Sequence, residues 1–469
     1  MQAPPHAAAP AATRVDRPVV IASNRGPISF QRDGDRLVGR RGGGGLVSGL
    51  APLVEAGRAT WIAAALSDAD RAASVAGVAS AEGLEARLLH LDPVDQQRYY
   101  DVVSNSTLWF LHHGLFDRTR EPTYDLAWWE AWDAYRRVNH RFAEAVIEHA
   151  PSGAAVLVQD YHLTLVAPVV RAERDDLHIV HFHHTPFTGP GGASVLPPEP
   201  RGEMLDGLAA HHACGFHTPM WAGNYAATQE LLAGRASTPF HATLNSDLAE
   251  LEAVASGPAC GTAMAELDDL LGDRLLVARV DRMELSKNIV RGFSAWDLLL
   301  EREPDLRNRA TFVACCYPSR LGVPAYARYR DEVLAEAERV NERWSRGDWQ
   351  PIVLLTDDDY PRSVAVLRRY DVLVVNPIRD GLNLVAKEGP MVNQRDGQLV
   401  LSTEAGATWE LGPAADSVNP FDLEHTAAAI HDAIRRDGPQ RQERARRLRE
   451  LACARTPADW LADQLTAAG

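Results

Sequence analysis

The stretch YDVLVVNPIRDGLNLVAKEGP, residues 370 to 390, is where the fold declares itself. Its apolar run VLVV is too short for a helix and rich in branched residues, so it reads as a buried strand. The glycine turn that follows then lies where a strand leaves a sheet and feeds a helix. The first turn of that helix has backbone N–H groups with no intrahelical partner, a place that suits an anion. Asp380 would repel an anion, so it and Glu388 are assigned to neutral hydroxyls on either side of a phosphate. An acid, a glycine turn, a helix start and a second acid in that order imply a sugar nucleotide.

Working outward, short apolar runs alternate with helix-like stretches along most of the chain. PVVIAS, TWIAAAL, AVLVQD, HIVHFHH and CGFHT occupy the first half. RLLVARVD, TFVACCYP, PIVLLTD, YDVLVVNP and LVLST occupy the second. This is βα alternation read twice, an α/β chain of two doubly wound, Rossmann-like sheets. The boundary falls near 245, where Ser, Thr, Asn, Gly and Pro interrupt the rhythm. The expected division is a Pro/Ala-rich disordered tail over 1–17, domains over 18–245 and 246–440, and helices over 441–469 that pack back toward the first domain. Two such domains face each other across a cleft at the carboxyl ends of their strands, where open α/β sheets bind ligands.

Composition narrows the function. With 469 residues, 46% of them apolar, the chain can fill two or three globular cores. A formal charge of -15 disfavours nucleic acid and anionic membrane as partners, so any phosphate site must be local. Five cysteines without a CxxC pair read as reduced, buried thiols of a cytoplasmic protein, and structural zinc is not expected. The N-terminal stretch has no basic segment ahead of a continuous apolar run, so no secretory signal is expected, and no apolar run reaches the roughly 18 residues of a membrane span.

Several clusters bear on the chemistry. Gly42 to Gly45 form a glycine run that either lets backbone N–H groups face a phosphate or is merely a hairpin tip. Arg25 ends the first strand; its fork suits phosphate oxygens, but taken singly a rim salt bridge is the stronger reading. Asp160 and His162 follow one strand, and His181, His183 and His184 end the next. Alternation sends His181 and His183 to one face, and without a metal-binding spacing they read as neutral histidines that donate to hydroxyls or lie satisfied in the core. Arg282 and Lys287 flank a strand-to-helix turn and can reach one diphosphate, or else form a solvated charged loop. Arg320 ends another apolar strand. The TDDD run at 356–359 lies beside a helix start, where acids favour the helix dipole, and is not assigned to a divalent ion.

Taken together these motifs resemble the trehalose-6-phosphate synthase family of retaining GT-B glycosyltransferases. SNR, the Gly-Gly-Leu loop, YY…SN…LW, DYHL, H.PF, GF.T, R....SK, PSR and RDG.NLVAKE occur in the family's order from about residue 18 to 465. The resemblance implies no cofactor and no metal, with a nucleoside-diphosphate sugar as donor and a sugar phosphate as acceptor. It implies that Arg282 and Lys287 bind the donor diphosphate, that Gly44 and Gly45 close over it, and that His184 and Asp380 hold the donor sugar. Gly381, Leu382, Asn383, Leu384 and Val385 match the phosphate cradle and Glu388 the ribose ligand. Arg25, Tyr100, Trp109, Asp160 and Arg320 match the acceptor side, and Arg282, Lys287, Asp160 and His184 are the expected catalytic set.

The expected activity is transfer of glucose from GDP- or UDP-glucose to glucose 6-phosphate, giving trehalose 6-phosphate with retained configuration. A related alternative is a pseudo-glycosyltransferase of the validoxylamine phosphate synthase type or another sugar-phosphate glucosyltransferase; an alternative of another class is a noncatalytic nucleotide-sugar-binding regulator. A homo-oligomer is compatible with the resemblance. Two departures stand out: WIAAALSD replaces a family segment with a second tryptophan, and HATLNSDLAEL replaces a Gly-rich turn between the domains.

Overall fold

The computed structural model describes residues 17–42, 45–55, 57–74 and 77–469. The expected tail, but for Arg17, and the donor-loop residue Gly44 lie outside these residues. The described chain is α/β with two large sheets, the GT-B arrangement.

The second sheet has six parallel strands. From edge to edge they are Ile352–Leu355, Ala310–Pro318, Leu275–Met283, Val372–Val375, Gln398–Ser402 and Asp416–Val418. Numbered along the chain this is the doubly wound order 3-2-1-4-5-6, whose direction reverses between the third and fourth strands as just given. Val277 pairs with Val372 and Ala278 with Leu373 across that reversal. VLVV, the opening stretch, is buried at all four positions because helices cover both faces.

The first sheet has eight strands: Phe240–His241, Ala213–Phe216, His178–His183, Ala155–Gln159, Val19–Ser23, Ala59–Ala64, Leu84–Leu89 and Val78–Ala81. Its reversal falls between Val19–Ser23 and Ala155–Gln159, which pair in parallel. Leu84–Leu89 and Val78–Ala81 form an antiparallel edge, and Ile28–Asp33 with Arg36–Arg41 forms a separate hairpin ahead of the glycine run.

The stretch between the sheets folds as two helices, Leu248–Ser256 and Pro258–Leu271, separated by Gly257. The C-terminal segment divides. The helix Gly438–Ala452 buries Leu448 and Ala452 in the second half's core, while the helix Pro457–Ala467 buries Trp460 and Leu465 in the first half's core. PADWLADQL is thus part of the 11-residue helix Pro457–Ala467. All five cysteines are free, and no described helix is long and apolar enough to cross a membrane.

Candidate active site

The segments that follow the strands at both reversals face each other. In the second half, Arg282 stands near the end of Leu275–Met283, and the short turn Leu285–Lys287 brings Lys287 around beside the turn that follows Val372–Val375. Asn288, at φ 60°, redirects the chain into the helix Ile289–Arg302. Its side-chain amide donates to the carbonyls of Asn376 (3.0 Å) and Pro420 (2.7 Å), clamping the two strand ends together.

Lys287 Nζ lies 2.5 Å from Asp380 Oδ2, which also accepts from the Asn383 side chain at 3.1 Å. Burial opposes both charges. Nevertheless, the carboxylates of Asp380, Asp281 and Glu284 hold the lysine above its ordinary pKa. For Asp380, burial pushes upward, but Lys287 outweighs it and holds the carboxyl below its usual range. Asn383 Oδ1 in turn accepts from the Ala386 N–H at 3.1 Å, which orients the start of the helix Val385–Val392. Glu388 accepts from Ser246 Oγ at 2.6 Å, and burial raises its carboxyl against that bond.

In the first half, Arg25 is exposed just beyond the strand Val19–Ser23. Asp160 follows Ala155–Gln159 with φ 70° and ψ 170°, a backbone region that residues with a Cβ rarely enter. Its N–H donates to Phe182 O at 2.7 Å, and its carboxylate accepts from the His184 N–H at 3.2 Å. Burial pushes the carboxyl up to about 6, against the backbone N–H groups of Tyr161, His184 and Thr185. His184 Nε2 lies 2.9 Å from Gln159 Oε1, and Gln159 Nε2 donates to Gln464 Oε1 at 3.1 Å. The last helix thereby fixes a proton on His184 Nε2, since an amide oxygen only accepts. Gln464→Leu would strand the buried Gln159 amide, at a cost of about 1–3 kcal/mol. A lower Tm together with reduced turnover is expected; unchanged values of both would remove the chain of bonds from the site.

Arg320, at φ 49°, donates to Tyr326 OH at 2.7 Å and lies 5.3 Å above the Trp109 ring. Tyr100 stacks on His162 at 5.9 Å. Burial, then the charges of Arg320 and Arg25, drive His162 down to about 3. Although Arg320 and Tyr326 belong to the second half by sequence, Tyr326 is buried in the first half's core. Trp61, in the departing WIAAALSD, is fully buried and donates to Ser23 Oγ at 2.7 Å. The aromatic surface on this side therefore comes from Tyr100, Trp109 and Tyr326.

The halves meet through glycine. A Cβ on Gly45 would lie 2.4 Å from Leu384 Cδ1, so the N-terminus of the helix Gly45–Glu55 abuts that of Val385–Val392. Like ends of two helix dipoles repel, and an anion between them would relieve the repulsion. A Cβ on Gly381 would lie 1.9 Å from His184 O, and Trp221 Nε1 donates to Gly381 O at 3.0 Å. Gly381 and Leu382 are buried against the first half, while Leu384 and Val385 remain partly open.

The arrangement thus brings Lys287, Asp380 and Asn383 into one hydrogen-bonded group, sets Arg320 over Trp109 and stacks Tyr100 on His162. Sequence reasoning missed four contributors. Arg279, fully buried, bonds Asp281, Asn376 and the Lys287 carbonyl beneath the cations, and its only signal was a charge inside an apolar strand. Glu284 sits between Arg282 and Arg320. Trp221 and Gln464 act across distances that no local pattern reveals. Conversely, the histidines at 181 and 183 are buried in the core, where His181 Nε2 lies 3.4 Å from His183 Nδ1. Among the described residues no group of three or more His, Cys, Asp or Glu is placed to hold a metal. Asp359 caps the helix Tyr360–Arg369 by accepting from the Arg362 N–H at 3.0 Å.

The model of glycosyltransferase family 20 matches residues 17–468. The chain belongs to that family. A family 20 relative, the trehalose-6-phosphate synthase of Mycolicibacterium smegmatis, is 32% identical over 480 residues, covering 96% of this chain and 92% of that one. The bifunctional trehalose-6-phosphate synthase/phosphatase of Thermoproteus tenax is 31% identical over 95% of this chain, which spans only 62% of that protein's length. Among solved structures, a UDP-forming α,α-trehalose-phosphate synthase from Burkholderia xenovorans in complex with glucose-6-phosphate superimposes with a TM-score of 0.82. It is 26% identical, covering 95% of this chain and 98% of that one. This family 20 chain is accordingly a glycosyltransferase with the GT-B fold.

Proposed function

We infer that the protein transfers glucose from a nucleoside-diphosphate glucose to glucose 6-phosphate, with retention, giving trehalose 6-phosphate. The observation that carries this reading is that one cleft holds two cationic centres of different character. Arg282 and Lys287 stand beside a helix N-terminus and a hydroxyl-binding acid, as a sugar nucleotide requires. Arg320 stands over the Trp109 and Tyr326 rings, as a sugar phosphate requires. The relatives' UDP-forming activity and bound glucose-6-phosphate favour UDP-glucose as donor and glucose 6-phosphate as acceptor.

In this mechanism the arriving diphosphate takes Lys287 from Asp380, and the freed carboxylate turns to the donor sugar's hydroxyls. As the bond from the anomeric carbon to the diphosphate oxygen breaks, negative charge grows on the leaving group. Arg282, Lys287 and the first-turn amides of Val385–Val392 stabilise it. The leaving oxygen takes the proton of the acceptor hydroxyl, which attacks on the same face of the sugar, so configuration is kept. Asp160 and His184 hold the reacting sugars in register, and closure of the halves supplies orientation.

The test is a thermal-shift panel of UDP, GDP and ADP with and without glucose 6-phosphate, followed by product analysis. Stabilisation by UDP, increased by the sugar phosphate, is expected, since a ligand of the folded state raises Tm. Stabilisation without any turnover would overturn the catalytic reading, and a larger shift with GDP would reassign the base. Arg282→Ala should lower kcat by roughly 10²–10³-fold, the scale of losing one transition-state donor. Acceptor affinity should change little; an equal loss in both would contradict the role.

A further inference from the structure

Glu284 lies between the strand that carries Arg282 and the turn that carries Lys287, with its side chain only 2% exposed. Its Oε1 is 3.0 Å from Arg282 Nη1 and 3.7 Å from Arg320 Nη1, and it accepts from Ser319 Oγ at 3.4 Å. The backbone of the same residue reaches the third cation's turn, for its carbonyl accepts the Lys287 N–H at 2.9 Å. Arg282 and Lys287 were assigned above to the donor and Arg320 to the acceptor. A single buried carboxylate therefore touches both sets.

Two consequences follow from its charge. Three cations converging on one cleft repel one another, and a buried anion among them fixes where their forks point. The same negative charge also subtracts from the attraction felt by every phosphate that enters. It therefore aims the cations at the reacting geometry while limiting how tightly the site grips a nucleoside diphosphate or a sugar phosphate in the ground state. Interactions realised in the transition state raise turnover; uniform ground-state grip does not.

We propose that Glu284 is a positioning residue that yokes the two phosphate sites, orienting Arg282 and Arg320 from one carboxylate and loosening ground-state anion binding. The proposal rests on the donor and acceptor roles inferred above. Glu284→Gln keeps the shape and an acceptor oxygen but removes the charge. Calorimetry with UDP and with glucose 6-phosphate should show both anions binding about fivefold tighter or more, the lower range of ordinary coupling between sites. In the same variant kcat should fall about 10²-fold, as expected for misplaced catalytic groups. A purely structural role would lower Tm and weaken both ligands together, so unchanged or weaker anion binding in the folded variant overturns the yoke.

Glu284→Asp provides the second arm, and carries the test if the glutamine variant does not fold. It keeps the charge but draws the carboxylate back by one methylene, so anion affinities should stay near those of the parent while kcat falls. Parental kcat in Glu284→Asp would overturn the proposal. A parent protein that neither binds a nucleoside diphosphate nor turns over would overturn the functional reading and the yoke with it. An active parent whose Glu284→Gln variant binds anions no more tightly sinks the yoke alone.

Discussion

Gly381→Ala is expected to reduce turnover by about 10²-fold or more, because reacting groups misplaced by about 1 Å lose that much. The new methyl would sit 1.9 Å from the His184 carbonyl oxygen and 2.9 Å from two backbone carbonyl carbons, atoms that cannot swing aside as a side-chain end would. Retreat is closed as well, since a Cβ on Gly406 would already be 2.0 Å from the Gly381 oxygen and the Gly406 N–H bonds Asp380 O at 3.0 Å. The halves must separate where Asp380 and His184 face each other. A stability loss of about 1–3 kcal/mol, typical of overpacking, should accompany this. Gly202→Ala is the control: its position within the helix Pro198–Ala209 has nothing within 4 Å, and alanine there should stabilise slightly and leave activity intact. Full activity in Gly381→Ala would show that the close approach is not part of the working enzyme.

The second large effect is on pH stability. Burial drives His112, His162 and His184 down to about 3 and His113 and His211 to about 4, while His181, His183 and His217 lie well below their ordinary value. For a histidine whose folded pKa is depressed, the unfolded chain binds more protons between that value and about 6.5. Stability is therefore fully present above pH 6.5 and is lost as pH falls toward 4. Each group contributes on the order of 1 kcal/mol per pH unit, so a few acting fully would exhaust the roughly 5–15 kcal/mol of an ordinary protein within two units. Asp160, raised to about 6, works the opposite way, as do Glu388, Asp281 and Asp101, but the depressed histidines outnumber them. The expected result is a Tm that is flat from pH 8 to 6.5 and falls steeply below, with little response to added salt because burial and not surface charge is the cause. A Tm at pH 5 equal to that at pH 7 would refute it.

Much of the fold was legible because buried parallel strands are written as short apolar runs, and ten such runs became strands of the two sheets. The strands that escaped notice lack that signature. Val78–Ala81 is a short run of small residues interrupted by Ser80, and Leu84–Leu89 interleaves charges with its apolar residues; the two are joined by a Glu82–Gly83 turn in which both residues have positive φ, an unusual demand on glutamate. Phe240–His241 has only two residues, and Asp416–Val418 three. The candidate site was legible where chemistry is local: Lys287 and Asp380 each stand within a few residues of a strand end. What escaped was long-range. Glu284 and Arg279 look like incidental charges until the sheet places them under the cations, and Gln464 meets Gln159 across 305 positions.

The chain passes between the halves twice, near 245 and again near 455, and the two passages are tied together. The side-chain amide of Asn245 donates to the carbonyls of Ala452 (2.7 Å) and Arg455, deep in the protein. Tied at this point, the two crossings form a single connection between the halves, so a break in either one would loosen the other.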